Sequence, residues 1–552
     1  MKLNRFVTSI LIVLLLTSWA IARNPQETWE QYKSPEEAGW SSEKLEQAKE
    51  LYDSLDAAAF MVVYDGKVLV SWGDVKRRFM CHSVRKSLLS ALYGTHVDDG
   101  SIDLNKTLAE LNIDDKSPLT ETEKQATIRD LLKARSGVYH PAAYETQSMK
   151  ARRPKRGSHP RDTFWYYNNW DFNTLGTIFE QETGADIFED FENRIADPLQ
   201  MEDFRLMDGY HHLEAEHSIH PAYPFRMSAR DMARFGLLYL QEGKWNDKQV
   251  ISKEWTDEST RSYSETDDRG GGYGYLWWMS GEFKELGMYS AYGVGTQVIS
   301  VLPGADLVIV QRVDTYQGRR TAPNSRLFNM ILDARVSEPK PDPELIALQN
   351  SPSYQRPEII HLEPSVMEKY VREYTMGETK VSVKKTDGKL LLDSPGLGKF
   401  HLLPVSGTKF VVQDAEYYAI FEFDDNGTPF RLTLHETSAT GDLYSTIIKK
   451  GIEAAIEQYR EMKRNETEFS ESALNTLGYQ LLGIKKSRAA IEIFKLNVEA
   501  YPESFNVYDS LGEAYMMSGE DSLAVESYRR SLELNPENVN AQQMIDKIKK
   551  KR

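Results

Sequence analysis

The sequence predicts an α+β domain over residues 25–335, a small all-β, barrel-like domain over 360–449 and an α-helical repeat domain over 450–552. Three observations carry this reading. Strand-like runs open and close the first stretch, with helix-like patterns between them. Short alternating runs separated by turn signals fill the second. In the third, a pattern of residues recurs at a spacing of 34 positions. A chain of 552 residues is also too long for a single hydrophobic core.

In the first stretch, Ala59 to Tyr64 and Lys67 to Val70 flank Asp65-Gly66, the dipeptide that best closes a two-residue hairpin. Gln297 to Leu302 and Asp306 to Arg312 flank Pro303-Gly304 in the same way. Helical patterns lie between, among them Ser83 to Tyr93 and Ala229 to Gln241. Strands from both ends of the domain predict one antiparallel sheet with helices packed on it.

Pro339, Pro341, Pro343, Pro352 and Pro357 mark residues 336–358 as a linker, because closely spaced prolines disfavour regular elements. The alternating runs that follow include Lys380 to Lys384, Lys389 to Leu392, Lys409 to Val412, Tyr418 to Phe423 and Pro429 to Leu434. Asp387-Gly388 and Asn426-Gly427 supply turns, and this texture predicts a barrel or sandwich. Leu477-Gly478, Ala490, Phe494 and Pro502 recur as Leu511-Gly512, Ala524, Tyr528 and Pro536. The spacing is that of tetratricopeptide repeats, in which a helix pair is closed by a proline turn. Two repeats are few for a solenoid, so helices near 450–463 and 538–550 are expected to cap them.

Lys2 and Arg5 precede the apolar run Phe6 to Ala22, which ends Ala20-Ile21-Ala22. A basic start, a short apolar core and a small-x-small end describe a secretory signal peptide over 1–22, and hence a periplasmic or secreted protein. The alternative is a retained anchor, for which the run is barely long enough. A net charge of −16 argues against nucleic-acid binding. A single cysteine, Cys81, precludes an internal disulfide and a cysteine-based zinc site. The 11 histidines are scattered, and His211, His212 and His217 lack the helical metal-binding arrangement, so no metal is assigned.

Ser83-Val84-Arg85-Lys86 is the first candidate for chemistry. Residues three apart on a helix share a face, so the Lys86 amine can reach the Ser83 hydroxyl. A serine needs a neighbouring base, and a lysine serves when burial or another cation lowers its pKa. A helix starting at Ser83 also aims backbone N–H groups at a developing oxyanion. The tetrad alone is weak evidence, since Ser-x-x-Lys also occurs at Ser41, Ser337, Ser382 and Ser406. Only Ser83 follows a strand hairpin and opens an apolar helix, Leu88 to Gly94; the competing reading is a plain N-cap. Tyr167-Asn168-Asn169 is the second candidate. A partly ionised Tyr167 can shuttle the serine proton, while Asn169 can orient Lys86 or grip a substrate carbonyl. Aromatic packing is the alternative, with Phe164, Trp165, Tyr166, Trp170 and Phe172 nearby. A serine–histidine–aspartate triad through His82 or His140 lacks the Gly-x-Ser-x-Gly elbow. Cys81 reads as a small buried residue beside the site, Arg85 as facing solvent or an acid, and Trp277-Trp278 as core or a substrate wall.

Taken in order, these motifs resemble the serine β-lactamase-related family. The resemblance rests on the Ser83 segment, Thr127-Ile128-Arg129-Asp130-Leu131-Leu132 with Ser136-Gly137, and Tyr167-Asn168-Asn169 followed by Phe172, Leu175-Gly176 and Thr183-Gly184. It continues with Ser228 to Gly236 and runs from about 30 to 335. The family includes class C β-lactamases, penicillin-binding D-alanyl peptidases, carboxylesterases and 6-aminohexanoate-dimer hydrolases. The resemblance implies a β-lactamase/transpeptidase-like sheet with a helical subdomain. It also implies acyl transfer through Ser83, with Lys86 and Tyr167 sharing the proton work and no cofactor. The later spacing favours Tyr167 and Asn169 over the register Tyr166 and Asn168.

The third family motif departs from the pattern. Where penicillin-recognising members place Lys-Thr-Gly or His-x-Gly, this chain has Ser290-Ala291-Tyr292-Gly293-Val294-Gly295-Thr296-Gln297. Gly293 still lets a substrate backbone approach, and the Val294 N–H is an expected second oxyanion donor. The missing cation favours the esterase or amidase branch over β-lactam chemistry. The alternatives are a D,D-peptidase or β-lactamase of the same fold, and a degenerate hydrolase domain used as a scaffold. Expected partners are a small-molecule or peptide-like substrate and, through the repeats, a protein.

Overall fold

The structure is a computed structural model that describes residues 24–551 apart from 26, 56, 267–269, 316–324, 350–358, 377–378, 387, 395–397, 414, 416, 425, 437–438, 465–468, 470 and 537. The expected signal peptide, 1–22, and the end of the linker, 350–358, lie outside the described residues. Among the described residues no helix is long and apolar enough to cross a membrane. The chain divides into two compact units, one built from residues up to 206, 213–313 and 320–353, the other from 207–212, 314–319 and 354 onward.

The first unit centres on a ten-stranded sheet. Its order is Leu345–Ala347, Glu30–Tyr32, Lys67–Gly73, Ala59–Tyr64, Leu307–Arg312, Gln297–Leu302, Tyr289–Gly293, Trp278–Met279, Gly272–Tyr273, Ser264–Glu265. Asp65 (φ 46°) and Gly66 (φ 73°) both adopt the left-handed conformation, as a type I′ hairpin turn requires. Alternation then assigns the faces. Phe60, Val62 and Ile309 join a core with Leu45, Tyr52, Phe328 and Ile331 from the helices Ser42–Asp53 and Ser325–Asp333. Met61, Val63, Val308 and Val310 join the larger core of the opposite face. There the Ala229–Leu240 helix lies so close that a side chain at Gly236 would overlap Val308.

Two expectations for this unit are corrected. The sheet is mixed, because Glu30–Tyr32 pairs in parallel with Lys67–Gly73 at Gln31↔Val68. The predicted linker is not wholly irregular either. Leu345–Ala347 forms an edge strand paired with Glu30–Tyr32, a position that proline-rich chain tolerates because an edge needs only one side hydrogen-bonded.

In the second unit, seven strands between Arg372 and Glu436 follow one another in an antiparallel sheet, each paired with its sequence neighbour. Tyr370, Tyr374, Phe410 and Phe421 form an aromatic core within it. The strands end at Glu436, and Ala439–Lys450 is a helix, which corrects the predicted extent of the all-β region to 449. Further helices follow at Ile452–Arg464, Glu471–Gly483, Ser487–Ala500, Phe505–Met517, Asp521–Leu534 and Val539–Lys551. The sequence periodicity has a packing cause here. A side chain at Gly478 would overlap the Phe494 ring, and one at Gly512 would crowd the Tyr528 ring.

Candidate active site

The strand Phe79–Met80 leads to Ser83 and pairs with Arg226–Met227. Cys81 N–H donates to the Phe225 carbonyl at 2.8 Å. His82 then takes φ 47°, uncommon for a non-glycine residue and costing about 1–3 kcal/mol. A single 3-10 turn, His82–Val84, carries Ser83 into the helix Arg85–Asp98. Two features hold the strained turn. The buried Arg312 guanidinium donates to the carbonyls of Phe79 (2.9 Å), Met80 (3.1 Å) and Met227 (2.6 Å) and to Gln297 Oε1 (2.8 Å). On the other side, Gly293 sits against the turn, where a Cβ would overlap the Cys81 carbonyl oxygen.

Lys86 is buried, and its Nζ has three close oxygen neighbours: Ser83 Oγ at 2.9 Å, Tyr167 Oη at 2.7 Å and Asn169 Oδ1 at 3.0 Å. The aromatic faces of Tyr167 and Phe172 lie 4.3 and 4.6 Å from Nζ. Burial, reinforced by the Arg85 charge, pushes the Lys86 pKa well below the ordinary lysine value. A neutral amine offers two N–H donors and one lone pair. The amide oxygen of Asn169 can only accept, so it takes one of these N–H groups.

Tyr167 and Asn169 are set by the start of the Asn169–Thr183 helix. Asn168 is its N-cap, accepting from Trp170 N–H at 3.2 Å and donating to the Val138 carbonyl at 2.6 Å. Tyr166 points away and donates to the Met149 carbonyl, so the register Tyr166/Asn168 does not reach Lys86. The Asn169 amide nitrogen donates to Tyr144 O at 2.7 Å, so both ends of the group are engaged by the protein. That arrangement fits orienting Lys86 rather than gripping a substrate carbonyl. Tyr167 also differs from expectation: burial pushes its phenol up to about 12, so it stays protonated rather than partly ionised.

Ser83 and Tyr167 are partly exposed, as is Gly293, while Val294 in the turn after Tyr289–Gly293 is exposed. Trp277 and Trp278 divide between the two expectations. Trp277 is wholly buried against Tyr239 and Tyr289, whereas Trp278 is half-buried with its ring 5.2 Å from that of Tyr167. Trp278, Tyr273 and Trp165 form an aromatic wall beside the phenol. Cys81 is buried, as expected. His140 lies in a separate buried group with Asp115 and Glu123. Elsewhere in this unit, potential ligand atoms of Glu214, Glu216 and His217 lie within 4.8 Å of one another, with His217 hydrogen-bonded to Glu214.

Sequence reasoning missed Arg85, which does not face solvent. It is 2% exposed, donates to Asn173 Oδ1 at 2.8 Å and stacks 4.2 Å from the Tyr223 ring. Arg85 through His96 are all buried, so the Arg85–Asp98 helix has no solvent face over that stretch. The run Leu88 to Gly94, in which only Ser90 is polar, was the available signal.

Comparison with known proteins now bears on this geometry. Residues 47–320 match the model of the beta-lactamase family. No curated protein matches. Among solved structures, a protein described as a 6-aminohexanoate-dimer hydrolase from Bacillus anthracis is 23% identical, covering 52% of this chain and 80% of its own, with a TM-score of 0.41. An octameric penicillin-binding protein homologue from Pyrococcus abyssi is 17% identical over 71% of this chain and 97% of its own, with a TM-score of 0.40. A D-stereospecific amidohydrolase from Streptomyces is 15% identical over 53% of this chain and 98% of its own, with a TM-score of 0.39.

Proposed function

With residues 47–320 carrying the sequence pattern of the beta-lactamase family, we propose that this chain is an exported serine hydrolase that cleaves an ester or amide bond through an acyl-enzyme on Ser83. One observation carries the reading. A buried amine whose pKa is lowered, Lys86 Nζ, lies within 3.0 Å of the Ser83 hydroxyl, the Tyr167 phenol and the Asn169 amide oxygen.

In the first half-reaction the Ser83 proton passes to Lys86 as Oγ bonds to the substrate carbonyl carbon. The carbonyl electron pair moves onto oxygen, for which the Val294 N–H is the proposed donor. As the tetrahedral intermediate collapses, the bond to the leaving oxygen or nitrogen breaks. Tyr167, protonated at working pH, gives its proton to the leaving group and regains one from the Lys86 ammonium. Water then attacks the ester, Lys86 takes a proton from it, and Ser83 leaves with one. Asn169 positions Lys86 throughout. No cofactor enters.

Neither lysine nor histidine stands on the strand Tyr289–Gly293 or in the turn after it. A substrate carboxylate there would lack a charge-assisted partner, worth about 1.5–3 kcal/mol, which favours neutral esters and amides over β-lactams. Fluorophosphonate labelling, with p-nitrophenyl ester turnover, tests the proposal. Wild type is expected to be labelled, and Ser83→Ala and Lys86→Ala to be silent; undiminished labelling of Ser83→Ala overturns it. Rapid stoichiometric acylation by a fluorescent penicillin would move the assignment to a D,D-peptidase or β-lactamase.

A further inference from the structure

Arg85 stands out because a guanidinium is seldom buried without a carboxylate. It is 2% exposed, and among the described residues it forms no ion pair with an acid. One of its terminal nitrogens donates to Asn173 Oδ1, while the other, Nη1, has no hydrogen-bond partner. Its remaining support is Tyr223, whose ring lies 4.2 Å from the guanidinium carbon and whose phenol also interacts with it. A desolvated charge held by neutral groups alone, an amide and a phenol, is costly. A hydrophobic residue would fill the site on an otherwise buried helix face at lower cost, so the charge itself requires a reason.

The surroundings supply one. Arg85 precedes Lys86 in the chain, and Asn173, which takes its hydrogen bond, lies one helical turn from Asn169, which takes that of Lys86. Both asparagines donate to the Ala143 carbonyl, Asn173 at 3.2 Å and Asn169 at 3.4 Å. The two cations are therefore held by one rigid frame. Resting on the reading of Lys86 as the base, we propose that Arg85 is a positioning residue whose uncompensated charge keeps the neighbouring amine in its neutral, proton-accepting form.

The other groups facing Lys86 do not oppose that effect. Ser83 and Tyr167 are hydroxyls, and Asn169 is neutral. Burial raises the phenols of Tyr167, Tyr223 and Tyr273, leaving them protonated. Asp171, on the same helix as Asn169, is turned to Ser136 and Asn168, and burial raises it too. Tyr292, on the strand beside the Ser83 turn, is likewise raised by burial. His82 stands on the turn itself. Arg85 is the charge that acts on Lys86.

The experiment is the pH dependence of the Ser83 acylation rate in the full chain, followed with a p-nitrophenyl ester and normalised to titrated active sites. Arg85→Gln removes the charge but keeps a donor for Asn173. Asn173→Asp retains Arg85 and places a compensating carboxylate on it. A neutral Lys86 is needed for attack, so either change should move the acidic limb of kcat/KM up by about one pH unit, costing about tenfold in rate below the limb and little above it. A limb that stays at its wild-type position in both variants, with any loss uniform across pH, overturns the proposal and leaves Arg85 a structural residue. Ser83→Ala and Lys86→Ala run alongside. If they retain acylation, the reading of the site itself fails; if they lose it while the limb stays fixed, only the role of Arg85 fails.

Discussion

Replacing Lys86 by methionine separates what the amine does for catalysis from what its burial costs the fold. In the unfolded chain this lysine titrates near its ordinary value of 10.5, whereas burial and Arg85 lower it in the folded protein. Between those two pH values the unfolded state binds the extra proton. The unfolding free energy of wild type therefore rises with pH in that window, by about 1.4 kcal/mol per pH unit from this one group. Lys86→Met has no such proton. It loses three contacts near 3 Å, worth about 1 kcal/mol each and largely independent of pH. Urea unfolding of both proteins over the pH range below 10.5 should then show wild type gaining on the variant as pH rises, with the variant relatively favoured at the acid end. Acylation should fall by about 10²–10⁴-fold at every pH. Parallel stabilities across that range would refute the reasoning, because they would mean that Lys86 is charged in the folded state and unfit as a base at rest.

Tyr167→Phe should lower kcat by about 10²-fold or more with KM little changed. Because the phenol is pushed up to about 12, wild type should show no alkaline limb from Tyr167 across the usual assay range. A descending limb near neutrality that the variant abolishes would contradict this. Gly293→Ala puts a methyl group into the Cys81 carbonyl and beside His82, so the Ser83 turn must move. The expected result is a loss of about 10²-fold in acylation, since a displacement of about 1 Å suffices for that, with stability down by about 1–3 kcal/mol. Wild-type acylation by this variant would show that the turn has slack. Arg312→Met strips donors from the carbonyls of Phe79, Met80 and Met227 and should destabilise by about 3–5 kcal/mol in urea unfolding. It should also slow acylation, because those carbonyls hold the strand that leads to Ser83.

What the sequence revealed and what it hid follow a physical division. The Asp65-Gly66 hairpin was legible because a two-residue turn and its flanking alternation are local. So was the recurrence of Gly478 and Phe494 as Gly512 and Tyr528, and in the structure each ring packs on its glycine. The parallel pairing of Gln31 with Val68 and the edge strand at Leu345–Ala347 were not legible. Their partners are remote in sequence, and nothing in Glu30–Tyr32 announces which strand it joins. The helix Ala439–Lys450 was hidden in the same way, because the turn signals that mark the strands stop shortly before it.

At the site the division is sharper. Ser83 and Lys86 are one helical turn apart, so their meeting is a local fact that spacing predicts. What makes the lysine a base is not local. Its amine is oriented by Asn169, whose amide is fixed by the carbonyl of Tyr144, and it is shielded by the rings of Tyr167 and Phe172. The turn that presents Ser83 is clamped by Arg312 from the strand Leu307–Arg312 and by Gly293 from the hairpin before it. Each of these groups is unremarkable where it stands in the chain. A Ser-x-x-Lys tetrad becomes chemically distinct from the other four only when distant segments desolvate the amine while leaving the hydroxyl partly exposed. Ser406 illustrates the contrast: its hydroxyl accepts from the backbone N–H of Lys409, while the Lys409 amine is paired with Asp442. The Lys409 amine is thus turned to a carboxylate and not to the serine, whatever its spacing from Ser406.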